Sequence, residues 1–201
     1  MPNWCNNSIA FYQEDGGNDL LEAFYTDIER YQNFTNVNGS LSNWCGHYLI
    51  SNKIDTDEVY CRGFFTNCEL YSDHVRIDME TAWGSLPEIY EKFAEKYGLS
   101  FVYIAEESGC EIYVNTDIEG RFFTDRYILD YFEVEGLELD AETMTEYGAR
   151  LKTLAENTHY CESFEDVMKS FKDFGFFADN IESLNKHLEQ FNITVHEYTS
   201  E

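Results

Sequence analysis

The chain has 201 residues, of which 43% are hydrophobic and 17% aromatic, a composition that is ample for a packed core and excludes a disordered protein. Its 39 acidic and 13 basic residues give a net charge of -26, which opposes direct binding to nucleic acid and to anionic membranes. The same charge favours a basic protein as the partner.

The sequence also bears on location. No basic and apolar leader opens it, and no apolar run approaches the length of a membrane span, so we expect a cytoplasmic protein. In that compartment the six cysteines are expected to be reduced thiols that pack as small apolar side chains. The sequence leaves the oligomeric state open.

Predicted strands and helices begin close to the start of the chain. Residues 8–12 form a short apolar run that predicts a strand. From 19 to 31 the apolar residues recur at helical spacing, with acids on the opposite side, which predicts an amphipathic helix. The segment 33–52 is rich in Asn, Ser and Gly, and we predict a long loop there.

The next elements complete a recognisable order. Residues 75–80 alternate between apolar and charged side chains, which predicts a strand. Ser85 and Glu88 have capping-box spacing before a helical stripe that stops at Gly98. Two β-rich runs follow, LSFVYIAEE and CEIYVNT. This βαββαβ-like order predicts an α+β protein with a ferredoxin-like domain over 1–118, an antiparallel sheet with two helices on one face.

Residues 119–201 differ in composition and are predicted to form an acidic, mostly helical annex. We expect the annex to pack against the first domain, because no Pro-rich or low-complexity linker precedes it. Residues 121–134 fit either a strand or a helix, and we favour an extended conformation. The remaining predictions are helices at about 140–157, 164–173 and 180–190, and a last strand at 193–198 that is able to pair with the sheet.

Three segments of the first domain resemble a known family. They are MPNWCNN at the start, METAWGSLPEIYEKFAEKY at 79–97 and LSFVYIAEESGCEIYV at 99–114. Together they resemble the Api92-like family, also called the YubB ferredoxin-like domain family, of plasmids, phages and mobile elements. The resemblance covers about 1–118 and implies a ferredoxin-like fold and a mobile-element origin. It supplies no catalytic residues, because the family has no established activity, and the annex lies outside it.

The triplet Asn-Trp-Cys occurs twice, at 3–5 and at 43–45. A metal site, a disulfide, a repeat and a shared hydrophobic surface are the alternatives. The residues that follow the two triplets do not correspond, which argues against a repeat. We predict that both Trp–Cys pairs point into the aromatic edge of the core.

The sequence gives only weak indications of catalysis or of metal binding. His159 and Cys161 are two residues apart, so their side chains diverge on a helix or a strand, and we predict no catalytic residue and no enzyme. A thiol enzyme of this kind, or a metal bound by cysteines, is a third class of function. No C-x2-C or H-x3-H pair is present, so we predict neither metal nor cofactor for the potential ligands Cys45, His47, Cys61, Cys68 and His74.

An acidic pole without Lys or Arg lies between Arg126 and Arg150. It could be a solvated surface. The sharper hypothesis is that its carboxylates imitate the phosphates of DNA, so that a mobile-element accessory protein occupies the basic groove of a host DNA-binding defence enzyme, as an anti-restriction or anti-CRISPR inhibitor. The predicted partner-binding residues are Glu133, Glu135, Glu138, Asp140, Glu142 and Glu146.

The alternative function is a protein-interaction or regulatory module without DNA mimicry. Its partner recognises an aromatic surface around Trp4, Trp44 and Trp83. Salt separates the two hypotheses, because binding by carboxylates weakens steeply as ionic strength rises and binding by aromatic rings changes little.

Overall fold

The structure is a computed structural model, which describes residues 3–35, 38–57, 59–131, 150–151, 153–154 and 160–200. The protein is α+β. The chain divides into two compact units, Met1–Ile118 and Glu119–Ser200. No helix of the described ranges is long and apolar enough to cross a membrane.

The first unit is built around a five-stranded sheet. All neighbouring strands in it are antiparallel, in the order β4-β5-β1-β6-β7. A separate two-stranded ribbon pairs β2 with β3. In chain order the elements are β1 (Trp4–Tyr12), α1 (Leu21–Gln32), β2 (Phe34–Thr35), β3 (Leu41–Ser42), α2 (Gly46–Ser51), β4 (Gly63–Leu70), β5 (Val75–Ala82), α3 (Pro87–Glu95), β6 (Ser100–Glu107) and β7 (Ile112–Asn115).

Strand alternation gives the sheet one apolar and one polar face. On the apolar side Ile9 of the central strand β1 lies opposite Ile77 of β5 and is completely buried. Its neighbour Ser8 is on the other side, where its hydroxyl donates to Asp78 Oδ1 at 2.5 Å. Helices α1 and α3 contribute Phe24 and Phe93 to the same core as Ile9.

A charged cluster joins the two helical regions of this unit. Asp27 of α1 is only 8% exposed and forms ion pairs with Arg30 and Lys96. Tyr97 donates its hydroxyl hydrogen to the same carboxylate at 2.9 Å. These bonds satisfy a carboxylate that burial alone would destabilise.

Several predictions for this unit are confirmed, and two are wrong. The strand at 75–80, the helix from 19 and the two β-rich runs are present as β5, α1, β6 and β7. The predicted loop at 33–52 instead holds β2, β3 and the six-residue helix α2. The cap of α3 is Leu86, without a side-chain hydrogen bond, so the capping box proposed for Ser85 is wrong.

The second unit has its own small sheet. The elements in chain order are β8 (Tyr127–Tyr131), β9 (Tyr160–Cys161), α4 (Phe164–Phe171), α5 (Ile181–Leu188) and β10 (Ile193–Glu197). The strand order is β10-β8-β9, with both pairs antiparallel. Leu129 of β8, Phe171 of α4 and Leu184 of α5 meet in a separate core.

The helices at 164–173 and 180–190 are confirmed as α4 and α5, and Ser163 caps α4 by accepting a hydrogen bond from Asp166 N. The last strand pairs with β8 rather than with the first sheet, because β8 is the extended part of 121–134. Of the helix predicted at 140–157, residues 150, 151, 153 and 154 are described and are helical.

Candidate binding site at the tryptophan end of the first sheet

The six predicted partner-binding residues, Glu133, Glu135, Glu138, Asp140, Glu142 and Glu146, lie outside the described residues. Among the residues that the structure describes, the most distinctive surface lies where β1 begins and β5 ends. We call this region the tryptophan end, and it consists of Asn3, Trp4, Ala82, Trp83 and Gly84.

Strand register brings two tryptophans to this end. Trp4 lies opposite Ala82 in the antiparallel pair of β1 and β5. The next residue, Trp83, donates its backbone N–H to the carbonyl oxygen of Asn3 at 2.9 Å. Trp4 is 40% exposed and Trp83 is 51% exposed, so both indoles are accessible to a partner. The ring of Trp4 also contacts Phe64, with 5.6 Å between the ring centroids.

The backbone of Trp83 is strained. Its φ is 72°, in the left-handed region that a bulky side chain rarely adopts. Such a conformation costs about 1–2 kcal/mol for a residue that carries a Cβ atom. It persists only where the surroundings impose it, and residues of this kind often lie at functional sites.

A buried polar network imposes that conformation. Thr81 is fully buried, and its hydroxyl donates to the carbonyl oxygen of Gly84 at 2.5 Å, across the Trp83 turn. The same hydroxyl accepts a hydrogen bond of 2.7 Å from the Nδ2 of Asn7. Asn7, 3% exposed, also donates to the carbonyl oxygen of Cys5 at 2.8 Å. These buried hydrogen bonds therefore hold the turn that presents Trp83.

A short 3-10 helix, Ser108–Cys110, lies beside this turn. Asn3 Nδ2 donates to Cys110 Sγ at 3.6 Å, and a Cβ atom on Gly84 would lie 3.6 Å from Ile112 Cδ1. The Glu107 carboxylate accepts hydrogen bonds from the backbone N–H groups of Gly109 and Cys110. Burial acts to raise the pKa of Glu107, but hydrogen bonds from the Cys110 thiol, from these two N–H groups and from the Asn3 side chain outweigh it, and the pKa is lowered.

Three exposed acidic residues are near the tryptophan end in sequence or follow the 3-10 helix beside it. Glu80 of β5, Glu88 in the first turn of α3 and Glu111 next to Cys110 are all exposed. In the described part of the chain none of the three is in an ion pair. The backbone of the exposed Arg62 is joined to this end, since its carbonyl oxygen accepts the N–H of Ala82.

The second Asn-Trp-Cys triplet, at 43–45, places its tryptophan against the core. Trp44 donates its Nε1–H to the carbonyl oxygen of Cys61 at 2.7 Å and packs against the core. Cys5 and Cys45 are both completely buried, and burial raises their pKa values to about 11 and about 12. The prediction that both Trp–Cys pairs point into the core is thus right for Trp44 and both cysteines, and wrong for Trp4.

The other candidates named from the sequence were potential metal ligands and the pair His159 and Cys161. Within the described ranges no three His, Cys, Asp or Glu residues are grouped so as to hold a metal ion. His47 Nε2 is bonded to Ser42 Oγ at 2.9 Å, and His74 Nδ1 to Asp73 Oδ1 at 2.8 Å. Cys161 is buried, which raises its pKa, and His159 lies outside the described residues.

The sequence pointed to Trp83 but not to the residues that support it. Asn7 could have pointed to them. It lies two residues before Ile9 and four before Phe11, so strand alternation places its polar side chain on the same buried face. Such a residue needs hydrogen-bond partners, and here they are at the tryptophan end.

No family model, curated protein or solved structure matches this chain. The resemblance to the Api92-like family therefore stays a prediction that the quoted segments carry. Function must be argued from the charge and geometry of the protein itself.

Proposed function

We propose that the protein is a non-enzymatic accessory protein of a mobile element, which acts by binding a basic host protein. The observation that carries this proposal is the acid excess, because many of the few bases are already paired within the chain. A partner therefore meets a chain whose carboxylates greatly outnumber its basic groups. The intramolecular pairs are Arg30 with Asp27, Arg76 with Asp78, Lys92 with Glu95, Lys96 with Asp27, Lys169 with Asp166 and Lys186 with Glu182.

One version of this function is DNA mimicry. The acidic pole would occupy the DNA-binding groove of a restriction or CRISPR enzyme, and the attraction would be long-range and sensitive to salt. Its contact residues would act as a charge set, so one substitution would be mild and several together severe. That set is Glu133, Glu135, Glu138, Asp140, Glu142 and Glu146.

The second version is recognition through an aromatic surface. The exposure of Trp4 and Trp83 supports it, as does the strained turn that holds Trp83. Tryptophan is among the residues that dominate protein–protein binding energies. Trp44 is removed from this surface, because its indole N–H is bonded inside the unit.

Fold and location fit this proposal. The strand order β4-β5-β1-β6 with α1 and α3 supports a ferredoxin-like first domain, extended by β7. The six cysteines are free thiols, which supports a reducing, cytoplasmic environment. A cytoplasmic location would give the protein access to host defence enzymes.

The experiment is affinity capture from host lysate at low and moderate salt. The unmodified protein is compared with a variant in which the six acids of the pole become Gln or Asn. A matched control changes six exposed acids elsewhere to Gln: Glu14, Glu22, Glu91, Glu162, Glu189 and Glu197.

Mimicry predicts capture of a DNA-binding enzyme that is lost with moderate salt, with the pole variant and with competing duplex DNA, but not with the control. Capture of a basic protein that survives all these changes favours the aromatic surface. Capture of no basic protein under any condition contradicts the proposed function.

A further inference from the structure

Strand β10 lies at one edge of the three-stranded sheet of the second unit. Within the described residues only β8 pairs with it, in antiparallel register. In such a pair successive residues direct their backbone N–H and C=O groups alternately toward the neighbouring strand and away from it. The N–H of Tyr198, just past β10, donates to the carbonyl oxygen of Arg126 at 2.9 Å. The backbone groups of Ile193, Val195 and Glu197 therefore point away from β8.

The side chain of Asn185, on helix α5, occupies the middle of this edge. Its Oδ1 accepts a hydrogen bond of 2.8 Å from the N–H of Val195, and its Nδ2 donates to the Val195 carbonyl oxygen at 2.9 Å. A residue of an added antiparallel strand makes the same two bonds with the residue opposite it. The amide of Asn185 therefore takes the place of a neighbouring strand at Val195.

There is space for another chain beside this edge. A cleft of about 400 Å³ adjoins it, and its lining includes Asn185 and Glu189 together with Ile193 and Thr194 of β10. Glu197, at the other end of the strand, is exposed. Backbone N–H and C=O groups at a sheet edge are a template for a strand of another molecule, and natural proteins block such edges.

The length and register of β10 suit a second copy of the same strand. Val195 is the central residue of Ile193–Glu197, so a two-fold axis through it pairs each Val195 with the other and each Ile193 with a Glu197. The backbone groups of all three point outward, as an antiparallel pair requires. The net charge of -26 opposes contact between two copies, and salt weakens that repulsion.

We propose that Asn185 closes the edge of β10 against a second copy of this chain, by bonding the backbone of Val195 in place of a strand. While Asn185 is present, the chain does not associate through β10. This role is separate from the binding of a basic partner, because it concerns pairing between identical chains.

The test compares the mass of Asn185→Ala with that of the unmodified protein by sedimentation equilibrium, at a salt concentration that screens repulsion between copies. Ser183→Ala is the matched control, because Ser183 is on the same helix and is also partly buried. Alanine is a better helix former than asparagine or serine, so both variants keep α5.

We expect the mass of Asn185→Ala to rise with concentration toward twice that of the unmodified protein. Ser183→Ala should keep the mass of the unmodified protein. If Asn185→Ala also keeps that mass at every concentration, or if both variants associate equally, the inference is overturned.

A second comparison tests whether the association uses the edge of β10. Glu197→Pro, added to Asn185→Ala, removes an N–H that points away from β8, and an edge strand tolerates proline at such a position. Glu197→Ala in the same background removes the same charge but keeps the N–H. The double variant with alanine should associate as Asn185→Ala does, and the one with proline should not. Equal association of the two contradicts the inference.

Hydrogen exchange in the unmodified protein gives a result that does not depend on whether the variants fold. The N–H of Val195 should exchange at least about tenfold more slowly than that of Glu197, because only the former is bonded to Asn185. Nuclear magnetic resonance measures both rates. A Val195 N–H that exchanges as fast as that of Glu197 would show that the amide of Asn185 does not hold the edge.

Discussion

The two Asn-Trp-Cys triplets have the same side chains but place their tryptophans in different environments. In the first, Cys5 is buried and Trp4 is 40% exposed, because neighbouring residues of a strand face opposite sides. In the second, Cys45 has helical backbone angles at the start of α2, and both Trp44 and Cys45 face the interior. Identical local sequence therefore gives one exposed tryptophan and one partly buried tryptophan that packs against the core, and backbone conformation decides which.

The largest expected effect is a difference in the free energy of unfolding between variants of Trp44 and Trp4. Trp44→Ala removes packing against the core and the bond to the Cys61 carbonyl, so it should lower the free energy of unfolding by about 3 kcal/mol. Trp4→Ala should cost less than about 1 kcal/mol, because its ring is partly in solvent. Urea denaturation followed by circular dichroism measures both, and equal losses would contradict the comparison.

A second prediction concerns the network beneath the first triplet. Asn7→Ala leaves the hydroxyl of Thr81 and the carbonyl of Cys5 without a buried donor, so it should lower the free energy of unfolding by about 2 kcal/mol. Asn6→Ala is the matched control, since Asn6 is the exposed neighbour and its loss should cost no more than about 0.5 kcal/mol. If the two variants are equally stable, the network does not support the turn.

The two buried cysteines should respond differently to alkaline pH. Burial keeps each thiol neutral in the fold, while the thiols of the unfolded chain ionise near their ordinary pKa of 9.0. Above pH 9 the unfolded state therefore binds fewer protons than the folded state. The contribution of the buried thiols to stability is complete below pH 9 and is lost as pH rises. The fall ends near pH 11 for Cys5 and near pH 12 for Cys45.

Cys45→Ala should therefore reduce the alkaline loss of stability by more than Cys5→Ala does. The difference between the variants is about 1 kcal/mol, which corresponds to one unit of pKa. Urea titrations between pH 8 and pH 12 would measure it. An equal reduction in both variants would mean that the two sites bury their thiols equally.

The smallest effect concerns backbone strain at Trp83. Trp83→Gly should be more stable than Trp83→Ala by up to about 1 kcal/mol, because only glycine adopts a φ of 72° without strain. Thermal unfolding of the two variants compares them. Equal stability, or a more stable alanine variant, would show that the turn relaxes and is not held by Thr81 and Gly84.

The sequence predicted the elements whose periodicity is regular. Helices α1 and α3 and strand β5 have clear spacing, but α2 has only six residues, too few to show a helical period. In β4 a bulge between Phe65 and Asn67 breaks the alternation that would define a strand.

The candidate site was only partly visible in the sequence. The three tryptophans could be named from it, but whether each is buried depends on strand register and on the conformation of Trp83. Both arise from pairing between residues far apart in the chain, such as Trp83 with Asn3. A single sequence does not reveal such pairing.

The most direct test of this account is 19F NMR of protein labelled with 5-fluorotryptophan, with each signal assigned by replacing one tryptophan with phenylalanine. A soluble paramagnetic agent is then added, which broadens the signals of exposed side chains. We predict that the signals of Trp83 and Trp4 broaden strongly and that of Trp44 remains sharp. A sharp Trp83 signal, or a Trp44 signal that broadens as much as the others, would contradict the account.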